Sequence, residues 1–302
     1  MKHLIDIKQL NKNQILDIFQ TANDISQNSK KKNRQLLKGK VVANLFFENS
    51  TRTLISFELA AKTLGAHVIN VNIDTSSTSK GETLRDTIKT LEAMDIDAFI
   101  VRHSENKICE EIQSWLKPKT VLINAGDGNN QHPTQALLDV YTMLKYKSDL
   151  SEQKITIIGD IKHSRVANSL IDCLNIIGNT NTYIYGPEQL LPDHLPNVTV
   201  CSSIEQALDN ADIIVMLRIQ KERMKLQNIP NLEEYHNNFG LNRKNLSHAN
   251  QGCIVMHPGP INRDVEISSE IAYNSPSVIL EQVKNGVTIR MAVLAKLLSK
   301  KL

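Results

Sequence analysis

Val41-Val42-Ala43-Asn44-Leu45-Phe46-Phe47 runs straight into Glu48-Asn49-Ser50-Thr51-Arg52-Thr53, and the fold follows from that junction. The first run is apolar at almost every position, which predicts a strand buried on both faces rather than one with a wet side. From Arg52 to Leu64 the period changes. Phe57, Ala60, Ala61 and Leu64 fall at helical spacing, so strand, polar turn and helix succeed one another. A helix start placed there points backbone N–H groups into the space beyond the strand, where a phosphate can sit. Ser50 and Thr51 add hydroxyl donors, and Arg52 adds a planar fork suited to phosphate oxygens. Ordinary capping explains part of the pattern, because Ser50 followed by Thr53 is normal helix-start chemistry. Capping alone does not explain Arg52, whose charge opposes the helix dipole unless an anion is present.

The same alternation extends in both directions. Ile15, Leu16, Ile18, Phe19, Ala22 and Ile25 predict an opening helix with one apolar face. Strands are expected at residues 67–72, 98–101 and 120–124, and helices at 82–94, 105–116 and 135–146. Along the first of these helices Leu84, Ile88, Leu91 and Met94 align. The charged stretch 145–154 is the expected domain boundary. Beyond it strands at 155–159, 182–185, 198–201, 212–217 and 253–256 alternate with helices at 166–177, 204–209 and 243–249. The three prolines of 186–197 make that stretch a loop. The expectation is an α/β protein of two domains, residues 1–146 and 150–302, each a parallel sheet flanked by helices. A closing helix at 288–302 can pack back on the first domain.

In open parallel sheets ligands bind where the loops converge, at the carboxyl ends of the strands. Seven strand ends here carry polar, mostly cationic groups. After the first strand come Ser50, Thr51, Arg52 and Thr53; after the next, a loop with Ser76 and Lys80. Arg102 follows the third strand, and a Gly126-Asp127-Gly128 turn leads from the fourth to His132 and Gln135. In the second half Arg165, Arg218 with Gln220, and Gly259 with Pro260 occupy equivalent places. One arginine is usually a surface residue, and one histidine at a helix start is usually structural. Seven such ends together point to a shared cleft for anionic ligands.

Composition narrows the class. The chain has 302 residues, of which 41% are hydrophobic and 22% charged, with a net charge of +3. That charge is too small to imply a nucleic-acid or membrane partner. The basic run of Lys30, Lys31, Lys32, Arg34, Lys38 and Lys40 has no interleaved aromatics and fits a solvated loop. Cys109, Cys173, Cys201 and Cys253 lie far apart with no C-x-x-C pair, so buried thiols are expected rather than a disulfide framework or zinc site. No leader is evident in residues 1–12, and no apolar run is long enough to span a bilayer. A cytoplasmic location is expected.

Phe47-Glu48-x-Ser50-Thr51-Arg52-Thr53-x-x-Ser56-Phe57-Glu58 and His132-Pro133-Thr134-Gln135 resemble the two signatures of the aspartate/ornithine carbamoyltransferases. Lys80-Gly81-Glu82-Thr83-Leu84-x-Asp86-Thr87, Val101-Arg102-His103, Arg218-x-Gln220-x-Glu222-Arg223 and His257-Pro258-Gly259-Pro260 resemble the aspartate branch. The resemblance covers almost the whole chain in order. It implies transfer of the carbamoyl group of carbamoyl phosphate to L-aspartate, an early step of pyrimidine biosynthesis, with neither cofactor nor metal. Ser50, Thr51, Arg52 and Thr53 then bind phosphate, while Arg102, His132 and Thr53 contact the carbonyl oxygen and Gln135 the amino group. Arg52, Thr53, Arg102 and His132 are the implied catalytic set. Gly259 and Pro260 present backbone groups to the carbamoyl moiety, and Arg165, Arg218 and Gln220 hold the aspartate carboxylates. The resemblance also implies a homotrimer with shared active sites, in which Ser76 and Lys80 come from a neighbouring subunit. Leu54 departs from the family pattern, which has arginine there, and bears on the rigidity of the loop.

Two other readings remain open at this point. An ornithine carbamoyltransferase has the same fold and phosphate site but binds a cationic side chain, for which Arg218 and its neighbours are poorly suited. A nucleotide-binding module is suggested by Ile158-Gly159-Asp160 after a strand, but the G-x-G-x-x-G turn is missing. The sequence leaves open whether a regulatory chain or another pathway enzyme binds.

Overall fold

The structure, a computed structural model, describes residues 1–71, 81–220 and 231–299. It divides into two compact units, residues 1–138 with 284–302, and residues 139–283. The first holds a four-stranded parallel sheet in the order β2-β1-β3-β4, made of β1 (Val41–Phe46), β2 (His67–Val71), β3 (Ala98–His103) and β4 (Val121–Asp127). Its helices are α1 (Lys12–Gln27), α2 (Lys30–Asn33), α3 (Thr51–Thr63), α4 (Leu84–Ala93), α5 (Ile108–Trp115) and the start of α6 (Pro133–Tyr146). Ala43, Leu45, Phe99, Val101 and Leu122 meet Ile88, Ile108 and Ile112 in one continuous core. Each Leu, Val, Ile or Phe among them contributes about 1.5–3 kcal/mol on leaving water, which is why β1, Asn44 apart, and β3 up to Val101 read as apolar runs. Asn11 caps α1, exchanging hydrogen bonds with Gln14 in a capping box.

The second unit carries a five-stranded parallel sheet in the order β7-β6-β5-β8-β9. Its strands are β5 (Ile155–Ile158), β6 (Thr182–Tyr185), β7 (Thr199–Val200), β8 (Ile213–Met216) and β9 (Ile254–Met256). The helices are α7 (Arg165–Ile177), α8 (Ile204–Leu208), α9 (Leu232–Phe239), α10 (Arg243–Leu246) and α11 (Ser269–Ala272). Ile158, Ile214, Met216 and Val255 pack with Ala207, Leu208, Leu241, Ile267 and Ile271. The chain passes from the first unit to the second within α6 and returns within α12 (Ile279–Leu298).

Both sheets are parallel and helix-covered, as the sequence predicts; the differences are local. β3 continues through Arg102 and His103, and β4 through Gly126 and Asp127, which were expected to be turn residues. In the parallel ladder His103 pairs with Asp127 after a register shift, so hydrogen bonding extends both strands beyond their apolar runs. The last helix begins at Ile279 rather than 288, because tertiary packing overrides the weak helix formers Asn285 and Gly286 in its early turns. Leu16 is 44% exposed and Met94 65% exposed, although both were expected to face inward. Leu16 directly follows the buried Ile15 and so lies about 100° round the helix, off the apolar stripe. Met94 is the C-cap of α4, beyond its last helical turn.

Candidate functional site

Each sheet reverses strand order once, between β1 and β3 in the first unit and between β5 and β8 in the second. A crevice opens at such a switch point, where neighbouring loops turn to opposite faces. The first switch point carries Ser50, Thr51, Arg52, Thr53 and Arg102 and the second Arg165, Arg218 and Gln220, whereas His132 and Gln135 follow β4 and Gly259 and Pro260 follow β9.

In the first unit Ser50 occupies the N-cap of α3 with φ −156° and ψ 91°, yet makes no side-chain capping bond. Capping therefore does not account for this serine. Thr51 and Arg52 are exposed in the first turn, Thr53 is buried, and the Leu54 amide donates to the Ser50 carbonyl at 3.0 Å. Leu54 thus sits in the helix backbone and is half-buried. Across the sheet, Arg102 pairs in register with Phe46, and its carbonyl accepts from the Phe47 amide at 2.8 Å. The guanidinium turns into the same loop: Nη2 lies 2.7 Å from Glu48 Oε1, and Nη1 donates to the Ala125 carbonyl at 3.2 Å. With its side chain only 11% exposed, Arg102 is held at the switch point by charge as well as by strand pairing.

His132 reaches this edge by a different device. Asp127, buried at the end of β4, accepts from the backbone of Lys107 and Gln131 and from the side chains of Asn124 and Asn130. That carboxylate closes the turn leading to His132. Pro133 then occupies the first position of α6, where its missing N–H costs nothing. His132, Thr134 and Gln135 are all buried, a setting in which a donor acts through a low dielectric.

In the second unit Gly159 follows β5 with φ +130°, and a Cβ there would stand 2.6 Å from the Leu217 carbonyl oxygen. Only glycine lets the ends of β5 and β8 approach this closely. Asp160 comes next, fully buried. One carboxylate oxygen accepts from the His163 amide at 3.2 Å and lies 2.9 Å from the His163 ring; the other accepts from the Gln220 amide at 3.4 Å. The Gln220 side chain in turn donates to the His163 carbonyl at 2.9 Å. Burial raises the Asp160 pKa, while the charge and hydrogen bonds of His163 and the Gln220 amide oppose that rise. Arg165 opens α7 behind its N-cap Ser164 and is buried; Arg218 is half-buried beyond β8. Gly259 and Pro260 lie beyond β9, where the Gly259 amide donates to His257 Nδ1 at 2.8 Å.

Ser76 and Lys80, and likewise Glu222 and Arg223, lie outside the described residues. Sequence reasoning missed a set of carboxylates that orient the chosen residues: Glu48 on Arg102, Asp127 before His132, and Asp160 beneath Gln220. All three stood in quoted stretches, but Arg102 lies 54 residues from Glu48 and Gln220 lies 60 from Asp160, and for Asp127 only its burial marks the acid as an orienting group. The four cysteines are buried thiols. Among the described residues no helix is long and apolar enough to cross a membrane.

Comparison with known proteins bears on the whole chain. Residues 2–145 match the family model for the aspartate/ornithine carbamoyltransferase carbamoyl-P binding domain, and residues 151–297 that for the Asp/Orn binding domain. The aspartate carbamoyltransferase catalytic subunit of Coxiella burnetii is 50% identical over 296 residues, covering 97% of this chain and 94% of the relative. Aspartate transcarbamoylase from Trypanosoma cruzi, solved with carbamoyl phosphate and aspartate, superposes with a TM-score of 0.86 at 28% identity, covering 99% of this chain and 97% of that one. The same enzyme solved with carbamoyl aspartate and phosphate gives 0.85 at 27% identity, covering 99% and 96%. Ornithine carbamoyltransferase from Thermus thermophilus gives 0.86 at 22% identity over 99% of each chain, a likeness of fold alone.

Proposed function

The chain belongs to the aspartate/ornithine carbamoyltransferase family, and we propose that it transfers the carbamoyl group of carbamoyl phosphate to the amine of L-aspartate. The observation that carries this reading is the occupancy of the two switch points. One has a helix N-terminus with Ser50, Thr51 and Arg52 beside Arg102; the other has Arg165, Arg218 and Gln220. The first set suits a phosphate, the second a dicarboxylate. Ornithine would bring a cationic side chain toward two arginines, which is repulsive.

The chemistry asks for positioning and charge stabilisation. The neutral amine attacks the carbonyl carbon, a C–N bond forms, and negative charge develops on the carbonyl oxygen. Phosphate then leaves with the electron pair of the C–O bond, and the nitrogen gives up a proton. Ser50, Thr51, Arg52 and Thr53 hold the phosphate, with Gln135 at the amino group of the carbamoyl moiety. Arg102, His132 and Thr53 address the carbonyl oxygen, where one preorganised donor typically contributes about 2.7–4 kcal/mol in the transition state. Gly259 and Pro260 offer backbone groups to the carbamoyl moiety. Arg165, Arg218 and Gln220 hold the two carboxylates.

Titration calorimetry with N-(phosphonacetyl)-L-aspartic acid, which joins a phosphonate to a dicarboxylate and is bound by the Trypanosoma cruzi enzyme, tests this assignment. Saturable binding is expected. Arg52→Ala should weaken it by roughly tenfold or more, the loss of one charge-assisted contact. Absence of binding by the unaltered protein would contradict the assignment.

The reading includes a cytoplasmic homotrimer with active sites shared between subunits. Four cysteines kept as thiols support a reducing compartment. An apolar strip supports assembly: Ile55 and Leu59, one turn apart on α3, are 48% and 50% exposed, and Ile69 on the edge strand β2 is 43% exposed. Ser76 and Lys80 are assigned to the neighbour's site. Mixing inactive Lys80→Ala and His132→Ala trimers under subunit exchange should restore activity, since some hybrid sites then contain both residues. Persistent inactivity after verified exchange would place Lys80 in the site of its own chain.

A further inference from the structure

His257 and Glu266 are both fully buried in the second unit, and no ligand role falls on either. Their hydrogen bonds nevertheless converge on the loop that carries Gly259 and Pro260. The Gly259 amide donates to His257 Nδ1 at 2.8 Å, so that nitrogen carries no proton. The ring proton therefore sits on Nε2, which lies 3.2 Å from Glu266 Oε1. The same carboxylate oxygen accepts from the Asn262 amide at 2.6 Å. Glu266 thus grips the loop twice, through the imidazole at one end and through backbone at the other. The base of the loop is fixed as well: the His257 amide donates to Gln282 Oε1 at 3.1 Å, and Gln282 Nε2 donates to Asp139 Oδ1 at 2.6 Å.

We propose that Glu266 is a positioning residue that acts through His257, holding its Nε2–H tautomer so that Nδ1 stays an acceptor for the Gly259 amide. The backbone of Gly259 and Pro260 is thereby set for the carbamoyl moiety, a role that rests on the function proposed above. A buried carboxylate beside a histidine can instead serve to charge the ring. Here a protonated Nδ1 would face the Gly259 N–H donor to donor, so the neutral ring is the one the loop requires. What Glu266 supplies is an acceptor in a fixed place, and that makes the proposal separable from a requirement for charge.

Kinetics of Glu266→Ala and Glu266→Gln, with succinate as a non-reacting dicarboxylate probe, test it. Glu266→Ala should lower kcat by about 10²-fold, the usual result of misplacing a contact group by an ångström, with succinate inhibition unchanged within about twofold. Glu266→Gln keeps a carbonyl oxygen as acceptor and should stay within about threefold of the unaltered enzyme. A second pair covers the case in which Glu266→Ala does not fold. His257→Asn retains an acceptor near the Nδ1 position and should keep most activity, whereas His257→Leu should lose about 10²-fold. The proposal is overturned if Glu266→Ala turns over normally, if succinate inhibition falls in step with kcat, if Glu266→Gln is as poor as Glu266→Ala, or if the two His257 variants behave alike. Failure of the unaltered protein to carbamoylate aspartate is a different result, and it would remove the underlying function instead.

Discussion

Replacing His132 with alanine is expected to lower kcat by roughly 10²–10³-fold, the usual cost of one donor to a developing oxyanion. The KM for carbamoyl phosphate should change far less. Phosphate is assigned to Ser50, Thr51, Arg52 and Thr53, whose contacts are made in ground and transition states alike, whereas His132 gains strength only as charge reaches the carbonyl oxygen. The residue is buried at the start of α6, beyond a turn closed by the four donors to Asp127. A donor held this firmly needs little reorganisation during the reaction. Steady-state kinetics decides the matter: unchanged turnover in His132→Ala would remove the residue from the oxyanion site.

A second large effect is expected at a residue that need not touch substrate at all. Asp160→Ala should lower kcat/KM for aspartate by about 10²-fold, the scale of loss when a binding group shifts by an ångström. Asp160 accepts from both the His163 and Gln220 amides, and Gln220 closes the triangle through the His163 carbonyl. Removing the carboxylate leaves two buried or half-buried amides without their acceptor and frees Gln220, one of the groups assigned to the aspartate carboxylates. Asp160→Asn should fall between the two, because its single carbonyl oxygen can accept on one side only. The affinity for carbamoyl phosphate, whose phosphate is assigned to Ser50, Thr51, Arg52 and Thr53 of the other unit, should hold. A parallel loss of carbamoyl phosphate affinity would instead point to a general collapse of the fold.

Much of this was legible in the sequence, for physical reasons. β8 is wholly apolar and β1 is apolar at every position but Asn44, because both faces of a parallel sheet are covered. Ser50, Arg52, Arg102 and Arg218 stood out because polar residues just after such runs must lie at strand ends. The orienting acids were hidden. Glu48 and Arg102 are 54 residues apart, and Asp160 and Gln220 are 60 apart, so no local spacing announces either pair. α9 escaped notice because Leu232-Glu233-Glu234-Tyr235-His236-Asn237-Asn238-Phe239 buries only Tyr235, too little for a periodic stripe. The early turns of α12 were hidden by their own polar residues, Glu281, Lys284 and Asn285, of which Asn285 is nonetheless buried.

On the proposed function, an arginine-lined dicarboxylate site selects the amine acceptor. Initial rates of carbamoylation with L-aspartate and with L-ornithine, measured in parallel on the purified protein at saturating carbamoyl phosphate, test it most directly. Rapid formation of N-carbamoyl-L-aspartate is expected and no product above background from ornithine, with Arg218→Ala sharply impaired toward aspartate. Turnover of ornithine equal to or faster than that of aspartate would contradict it.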